Sequence, residues 1–311
     1  MTINDTTSVA PTADAAGTWQ LGDLTVNRLG LGAMRLGGMP WDPQPRRRED
    51  AVAVLRRAVE LGVNHIDTAA FYFTATRSSN ELIGTALQPY ADDLVITTKV
   101  GPSMSRDRSF EPYARPDQLR SQVEENIRQL GRDRLDVVNL RWGTSLGKEP
   151  GAVAEHVGAL AELRDEGLIG HVGISNVSAE QLVEAMTVSP IVCVQNRYGL
   201  TERQDDEVLE LTGRHGVAFV PFFAMGTGIP GAAPQGGADE PGRAEVAAVA
   251  DAHGATPAQV RIAWTLHRGP HVLAIPGTGD PAHLEQNVAA ADLHLSTDEL
   301  ALLDGVGSPA R

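Results

Sequence analysis

The sequence reads as a closed parallel (β/α)8 barrel, preceded by a short β-hairpin and finished by an extra C-terminal helix. Three observations carry that prediction. Short apolar runs alternate with amphipathic stretches eight times without a break in composition. Unusual polar residues collect at the C-terminal ends of those runs, the face on which such barrels keep their active sites. At 311 residues, 42% of them hydrophobic, the chain is long enough for one large core. A doubly wound open sheet is the rival arrangement for the same alternation.

Residues 1–17 are polar, lack Lys and Arg and contain no apolar segment. They read as a disordered arm rather than a signal peptide, with residues 18–311 as a single domain. Thr18–Leu21 and Leu24–Val26 flank Gly22-Asp23, a composition suited to a tight hairpin turn. Strands are expected at 29–32, 63–67, 94–99, 135–141, 171–175, 191–196, 218–222 and 272–275. Helices are expected at 51–61, 81–87, 116–130, 153–166, 179–186 and 206–215, as a pair at 244–253 and 257–267, and finally at 281–291 and 297–306. The stretch from Gly226 to Pro241 is rich in Gly, Pro and Ala and reads as a mobile loop.

A formal net charge of -14 argues against nucleic acid as a partner, because a phosphate backbone is held by basic surface. No apolar run approaches the roughly 20 residues of a membrane span. Cys193 is the only cysteine, so no intrachain disulfide can form, and a reducing, cytoplasmic compartment fits. His267 and His271 are separated by Arg268-Gly269-Pro270, which breaks any helix that would align them on a metal. No metal site is expected.

The chain uses arginine almost everywhere, and its only lysines are Lys99 and Lys148. Lys99 closes the run Leu94-Val95-Ile96-Thr97-Thr98-Lys99, Asp67 closes Val63-Asn64-His65-Ile66-Asp67, and Tyr72 follows Asp67 closely. If the two strands are parallel neighbours, Asp67 can hold Lys99 and Lys99 can lower the pKa of the Tyr72 hydroxyl. A cation about 4 Å from a phenolate contributes roughly 1–4 kcal/mol, enough to bring a phenol pKa of about 10 down by roughly one to three. This outlines a proton-donor site. Arg141, Ser175-Asn176, Gln195-Asn196 and the pair Phe222-Phe223 stand at the ends of four further runs.

The order Gly30-Leu31-Gly32, His65-Ile66-Asp67-Thr68-Ala69, Tyr72, Thr98-Lys99, Gly173-Ile174-Ser175-Asn176, Gln195 and Ile275-Pro276-Gly277-Thr278 resembles the aldo-keto reductases. The resemblance covers nearly everything after the arm. It implies a (β/α)8 TIM barrel that binds NADPH, with NADH left open, across its strand ends, and needs no metal. It makes Tyr72 the general acid, Lys99 its pKa-lowering partner and Asp67 the carboxylate that orients Lys99. Ser175, Asn176 and Gln195 are assigned to the nicotinamide carboxamide, and Phe222 to stacking under its ring. Gly32, Met34, Asp67, Met225, Gly226, Gly277, Thr278, His283, Gln286 and Asn287 complete the implied cofactor site. His283 and Gln286 differ from the arginine and glutamate frequent in NADPH-preferring relatives, and Asp280 would repel a 2′-phosphate. The segment Pro276 to Asp280 leads into a helix whose free N–H groups can receive a phosphate. Gly226 to Gly231 matches G-x-G-x-x-G only formally, since Pro230 prevents the required helix start.

One position departs from the family. Where most members carry histidine at the end of the fourth strand, this chain has Arg141. Arginine cannot relay a proton, but it can polarise a carbonyl or clamp an anionic substituent. The stretches 136–141, 190–196 and 220–223 look most like bacterial members of the pyridoxal reductase type. The expected activity is reduction of a small carbonyl compound, pyridoxal or a secondary-metabolite or sugar carbonyl, with Trp41, Phe73 and Trp142 as the substrate wall. A non-catalytic NADP(H)-binding regulatory protein is the alternative. A Schiff-base aldolase using Lys99 is a third, and Asp67 speaks against it by keeping the amine protonated. The oligomeric state is left open.

Overall fold

Seven parallel strands lie side by side in chain order: Leu31–Gly32, His65–Asp67, Val95–Val100, Leu135–Arg141, Ile169–Ser175, Ile191–Gln195 and Ala218–Phe219. They belong to a computed structural model that describes residues 11–38, 47–74, 77–104, 110–111, 113–143, 147–225 and 241–306. The expected eighth strand is reduced to single bridges, Phe219 to Val272 and Leu29 to Ala274, yet these join the two edges of the sheet. Leu273 N donates to Phe219 O (2.9 Å), Ala274 N to Arg28 O (2.8 Å) and Gly30 N to Ala274 O (2.8 Å). The barrel is therefore closed, and the open sheet is excluded. Pro270 and Pro276 bracket the last run and remove the N–H groups that would lengthen it.

The register decides which side chains meet inside. Asp67 pairs with Thr97, Lys99 with Asn139, Arg141 with Ser175, and Ser175 with Gln195. Because side chains alternate along a strand, His65 and Asp67 share one face, as do Thr97 and Lys99, Asn139 and Arg141, and Cys193 and Gln195. The opposite face carries Ile66, Ile96, Val138, Leu140, Val172 and Ile174, which join one core cluster with Leu55, Ile83, Val123 and Leu160 of the surrounding helices. A second cluster holds Val95, Val137, Ala218, Val220 and Leu273 together with Leu21 and Val26 of the N-terminal hairpin. That hairpin, Thr18–Leu21 with Leu24–Asn27, plugs the end of the barrel where the strands begin.

The helices begin and end on local chemistry. Ser178 with Gln181, Thr256 with Gln259, and Ser296 with Glu299 form reciprocal capping boxes, and Gly131 and Gly216 end their helices in the left-handed conformation. Two features depart from expectation. Residues 1–10 lie outside the described residues, but Ala13–Ala16 form a 3-10 turn with Ala13 buried and its N–H on Leu61 O (2.8 Å), so packed chain begins ahead of residue 18. Ser103–Met104 and Phe110–Glu111 pair as a small hairpin that the sequence pattern did not announce. The stretches holding Trp41 and Gly226, with most of the glycine-rich loop, lie outside the described residues. No helix among the described residues is long and apolar enough to cross a membrane.

Gly173 shows how tightly the interior is filled. A Cβ there would sit 2.0 Å from Asn139 Oδ1 and 2.6 Å from Cys193 Sγ. Gly173→Ala is therefore expected to cost about 1–3 kcal/mol by overpacking, read as a melting temperature lowered by several degrees. An unchanged melting temperature would contradict this packing.

Candidate active site

A buried ion pair organises the wide end of the barrel. Lys99 Nζ donates to Asp67 Oδ1 at 2.6 Å and to the Thr68 carbonyl at 3.0 Å, and both side chains are almost wholly removed from solvent. The other carboxylate oxygen, Asp67 Oδ2, accepts from Gln195 Nε2 at 2.8 Å. Burial works against the Lys99 charge, but Asp67 and Tyr72 outweigh it and hold its pKa above the ordinary lysine value. Below this pair, outside the barrel wall, Thr68 and Thr98 donate to Asn80 and Asn126, which also bond each other (2.7, 2.6 and 2.9 Å). The two strand ends are thus locked from behind by residues that no spacing rule pointed to.

Tyr72 stands next to the ammonium. Its ring centroid is 5.0 Å from Lys99 Nζ, and its backbone is held by Ala69 O and Ser79 N (3.0 and 2.9 Å). The expectation of a lowered phenol pKa is corrected here. Burial raises the Tyr72 pKa above its ordinary value, the pull of Lys99 and Arg141 does not cancel that rise, and Asp67 adds to it. The physical reason is burial, which penalises the phenolate more than the Lys99 charge favours it, and the Asp67 carboxylate adds to the rise. The hydroxyl consequently keeps its proton near neutral pH, as a proton donor must.

Two amides frame the next strand ends, and their hydrogen bonds fix what they can offer. A carboxylate accepts only, so Gln195 turns its Nε2 to Asp67 and its Oε1 is left buried without a partner. Asn176, at φ 64°, spends both amide hydrogens on the carbonyls of Trp142 (2.8 Å) and Gly147 (2.6 Å), leaving Oδ1 as its free function. Ser175 lies between them and accepts from Arg141 Nη1 at 3.3 Å. Acceptors on two amides and one hydroxyl suit a primary carboxamide, which carries two N–H donors and one acceptor. The residues present therefore fit a nicotinamide.

Arg141 is buried, and its guanidinium carbon sits 4.9 Å from the centroid of the Phe222 ring. Burial lowers its pKa to about 10, with Tyr72 opposing, so it stays charged near neutral pH. Phe223, edge-on to Phe222 at 5.2 Å, adopts φ 60°, a conformation a bulky residue seldom takes. Sequence reasoning did not select Phe223 as a site residue; nothing in the residue type signals a positive φ.

The sequence model of the Aldo/keto reductase family matches residues 28–308. The chain belongs to the aldo/keto reductase family. It is similar to pyridoxine 4-dehydrogenase of Escherichia coli (strain K12), 44% identical over 294 residues that cover 94% of this chain and 99% of that protein. It is also similar to probable aldo-keto reductase 1 of Glycine max, 28% identical over 88% of this chain and 84% of that one. Among solved structures, a thermostable aldo-keto reductase in complex with epalrestat matches with TM-score 0.76 at 31% identity, over 93% of this chain and 98% of its own. An aldo/keto reductase from Klebsiella pneumoniae, solved with NADP and acetate, matches with TM-score 0.72 at 28% identity, over 92% and 94%. Family membership makes the chain an NAD(P)H-dependent oxidoreductase that works on carbonyl compounds.

The remaining expected residues of this aldo/keto reductase fall into place unevenly. Gly32 and Gly277 face each other where the ring closes: a Cβ on Gly32 would lie 2.7 Å from Ile275 O, and one on Gly277 2.9 Å from Gly32 O. Met34 sits in the 3-10 turn Ala33–Arg35, and Met225 packs against the core. His283 and Gln286 are exposed on the helix Pro281–Ala289, whereas Asn287 is buried. The start of that helix differs from expectation. Asp280 caps it by accepting from Ala282 N (2.8 Å), Pro281 has no N–H, and Thr278 Oγ1 accepts from Asp280 N (3.0 Å). The N–H groups of Asp280 and Ala282 are thus already used, and Pro281 has none to offer. Phe73 is 39% exposed, but Trp142 is buried, its indole on Glu149 O (3.0 Å) and its rings against Tyr113 and His156, a packing role that needs no substrate.

His65, one step deeper than Asp67 on the same strand face, faces Thr97 Oγ1 at 3.2 Å. Burial pushes its pKa down to about 4. An unfolded chain takes up a proton at this residue below about pH 6.5 that the folded chain refuses, so its contribution falls as pH drops from 6.5 toward 4, by about 3 kcal/mol in all. Urea unfolding at neutral pH and near pH 4.5 checks this: the wild-type loses more stability over that window than His65→Gln. Equal losses would contradict it.

Proposed function

We propose that the chain catalyses the reversible NADPH-dependent reduction of an aldehyde or ketone, with pyridoxal as the first substrate to test. The observation that carries this reading is the half-buried, protonated Tyr72 beside a lysine pinned by Asp67, next to a Gln195 Oε1 that lacks a donor. The similarity to pyridoxine 4-dehydrogenase supports the choice of substrate.

Bound NADPH supplies a hydride to the carbonyl carbon. Tyr72 gives its proton to the developing alkoxide, and Lys99, kept charged by Asp67, stabilises the phenolate left behind. Arg141 takes the place of a catalytic histidine as a fixed positive charge that polarises the carbonyl oxygen or holds an anionic substituent beside it. Gln195 Oε1 and Asn176 Oδ1 accept from the carboxamide, the Ser175 hydroxyl serves its oxygen, and Phe222 supports the ring. Gly32, Gly277 and Thr278 line the path of the remaining cofactor, and Phe73 is the exposed aromatic wall for substrate.

Tyr72→Phe is expected to leave NADPH affinity nearly intact and to cut turnover by about 10²–10⁴-fold in an NADPH-oxidation assay across aldehydes and ketones. Unchanged turnover would remove Tyr72 from the mechanism. Tight NADPH binding by the wild-type with no turnover on any carbonyl would favour a regulatory cofactor-binding protein instead. Arg141→His is expected to change relative rates among substrates according to their charge; a uniform change across the panel would count against a recognition role.

A further inference from the structure

The second lysine of the chain is not used by this reading. Lys148 forms an ion pair with Asp205, whose side chain is 1% exposed while that of Lys148 is 31% exposed. A carboxylate so deeply placed depends on its partners. Lys148 is the ion-pair partner of Asp205, and the nearby Asn196 side chain also favours the charged carboxylate. Asn196 follows Gln195 at the end of the sixth barrel strand and is itself clamped by Val177, accepting from its N–H (3.1 Å) and donating to its carbonyl (2.8 Å). Lys148 stands between Gly147, whose carbonyl takes one Asn176 amide hydrogen, and Glu149, whose carbonyl takes the Trp142 indole and Gln181 amide hydrogens (both 3.0 Å).

We propose that Lys148 is a positioning residue for the cofactor: its ion pair with Asp205 holds the Gly147 carbonyl against Asn176 Nδ2 and thereby keeps Asn176 Oδ1 turned toward the nicotinamide carboxamide. This rests on the functional reading above. An asparagine amide has two donors on one side and an acceptor on the other. With Gly147 in place both donors are spent, and the acceptor is what remains for the carboxamide –NH2. Without the tie the Trp142 carbonyl alone still takes an Nδ2 hydrogen, and the side chain can swing about that single bond so that Oδ1 leaves the carboxamide. The loss is then specific to the carboxamide hydrogens and spares the phosphates and the ring.

The test compares NADPH with its reduced 3-acetylpyridine analogue, whose methyl ketone has no N–H, by fluorescence titration of wild-type, Lys148→Met, Lys148→Arg and Asp205→Asn protein. Lys148→Met is expected to weaken NADPH about tenfold, the scale of one hydrogen bond, and the analogue by less than about twofold. Lys148→Arg is expected to restore NADPH binding, and kcat at saturating NADPH should stay within about threefold of wild-type for Lys148→Met. Asp205→Asn should behave as Lys148→Met; where it fails to fold, the more exposed Lys148 position decides alone. Equal weakening of both cofactors would show a merely structural role and overturn the proposal, as would no weakening of either. Wild-type protein that binds no NADPH would overturn the functional reading and this inference together, whereas wild-type binding matched by all variants would overturn this inference alone.

Discussion

The Lys99–Asp67 ion pair is the constraint on which the barrel mouth depends. Two opposite charges withdrawn from water are costly unless their remaining hydrogen-bonding capacity is met, and removing one partner of such a pair typically costs about 3–5 kcal/mol. Here each carboxylate oxygen has a donor, and Lys99 adds the Thr68 carbonyl to its partners. The same bonds set the chemistry. Asp67 dictates which end of Gln195 is left over, and it adds to the burial that keeps the Tyr72 phenol protonated.

How three strands bring these groups together is a matter of period and stagger. Alternation places one residue in two on the inner face, and the register steps that face from an apolar floor at Val95 and Val137, through Thr97 and Asn139, to Lys99 and Arg141. The hairpin closes the floor, so the polar groups accumulate only where the strands end. Gly173 carries no side chain in the middle layer, which leaves room for Asn139 and Cys193 to meet at 3.2 Å.

Much of this was legible in the sequence. The strand Leu135–Arg141 and the helices Asp206–His215 and Pro257–His267 have the expected bounds, because apolar periodicity and end signals such as Pro257 and Gly216 agree there. Asp67, Tyr72 and Lys99 could be picked out because charged residues closing apolar runs are rare. What was not legible depends on three-dimensional surroundings. The pKa direction of Tyr72 needs its burial, the capping role of Asp280 competes with phosphate binding only once its side chain is placed, and the packing of Trp142 needs Tyr113 and His156 around it. Asn80, Asn126 and Asp205 were missed for the same reason: a polar residue in a helix or turn looks solvent-facing until its partner, distant in sequence, is known.

On the proposed function, the ion pair acts through Gln195 to create the place where a nicotinamide carboxamide binds beside Tyr72. A crystal structure of the protein with NADP+ tests it most directly. The carboxamide nitrogen is expected at about 3 Å from Gln195 Oε1, with Gln195 Nε2 still on Asp67 and the Tyr72 hydroxyl facing the same ring. A nicotinamide bound elsewhere, or a Gln195 turned over so that Asp67 loses its amide donor, would contradict it.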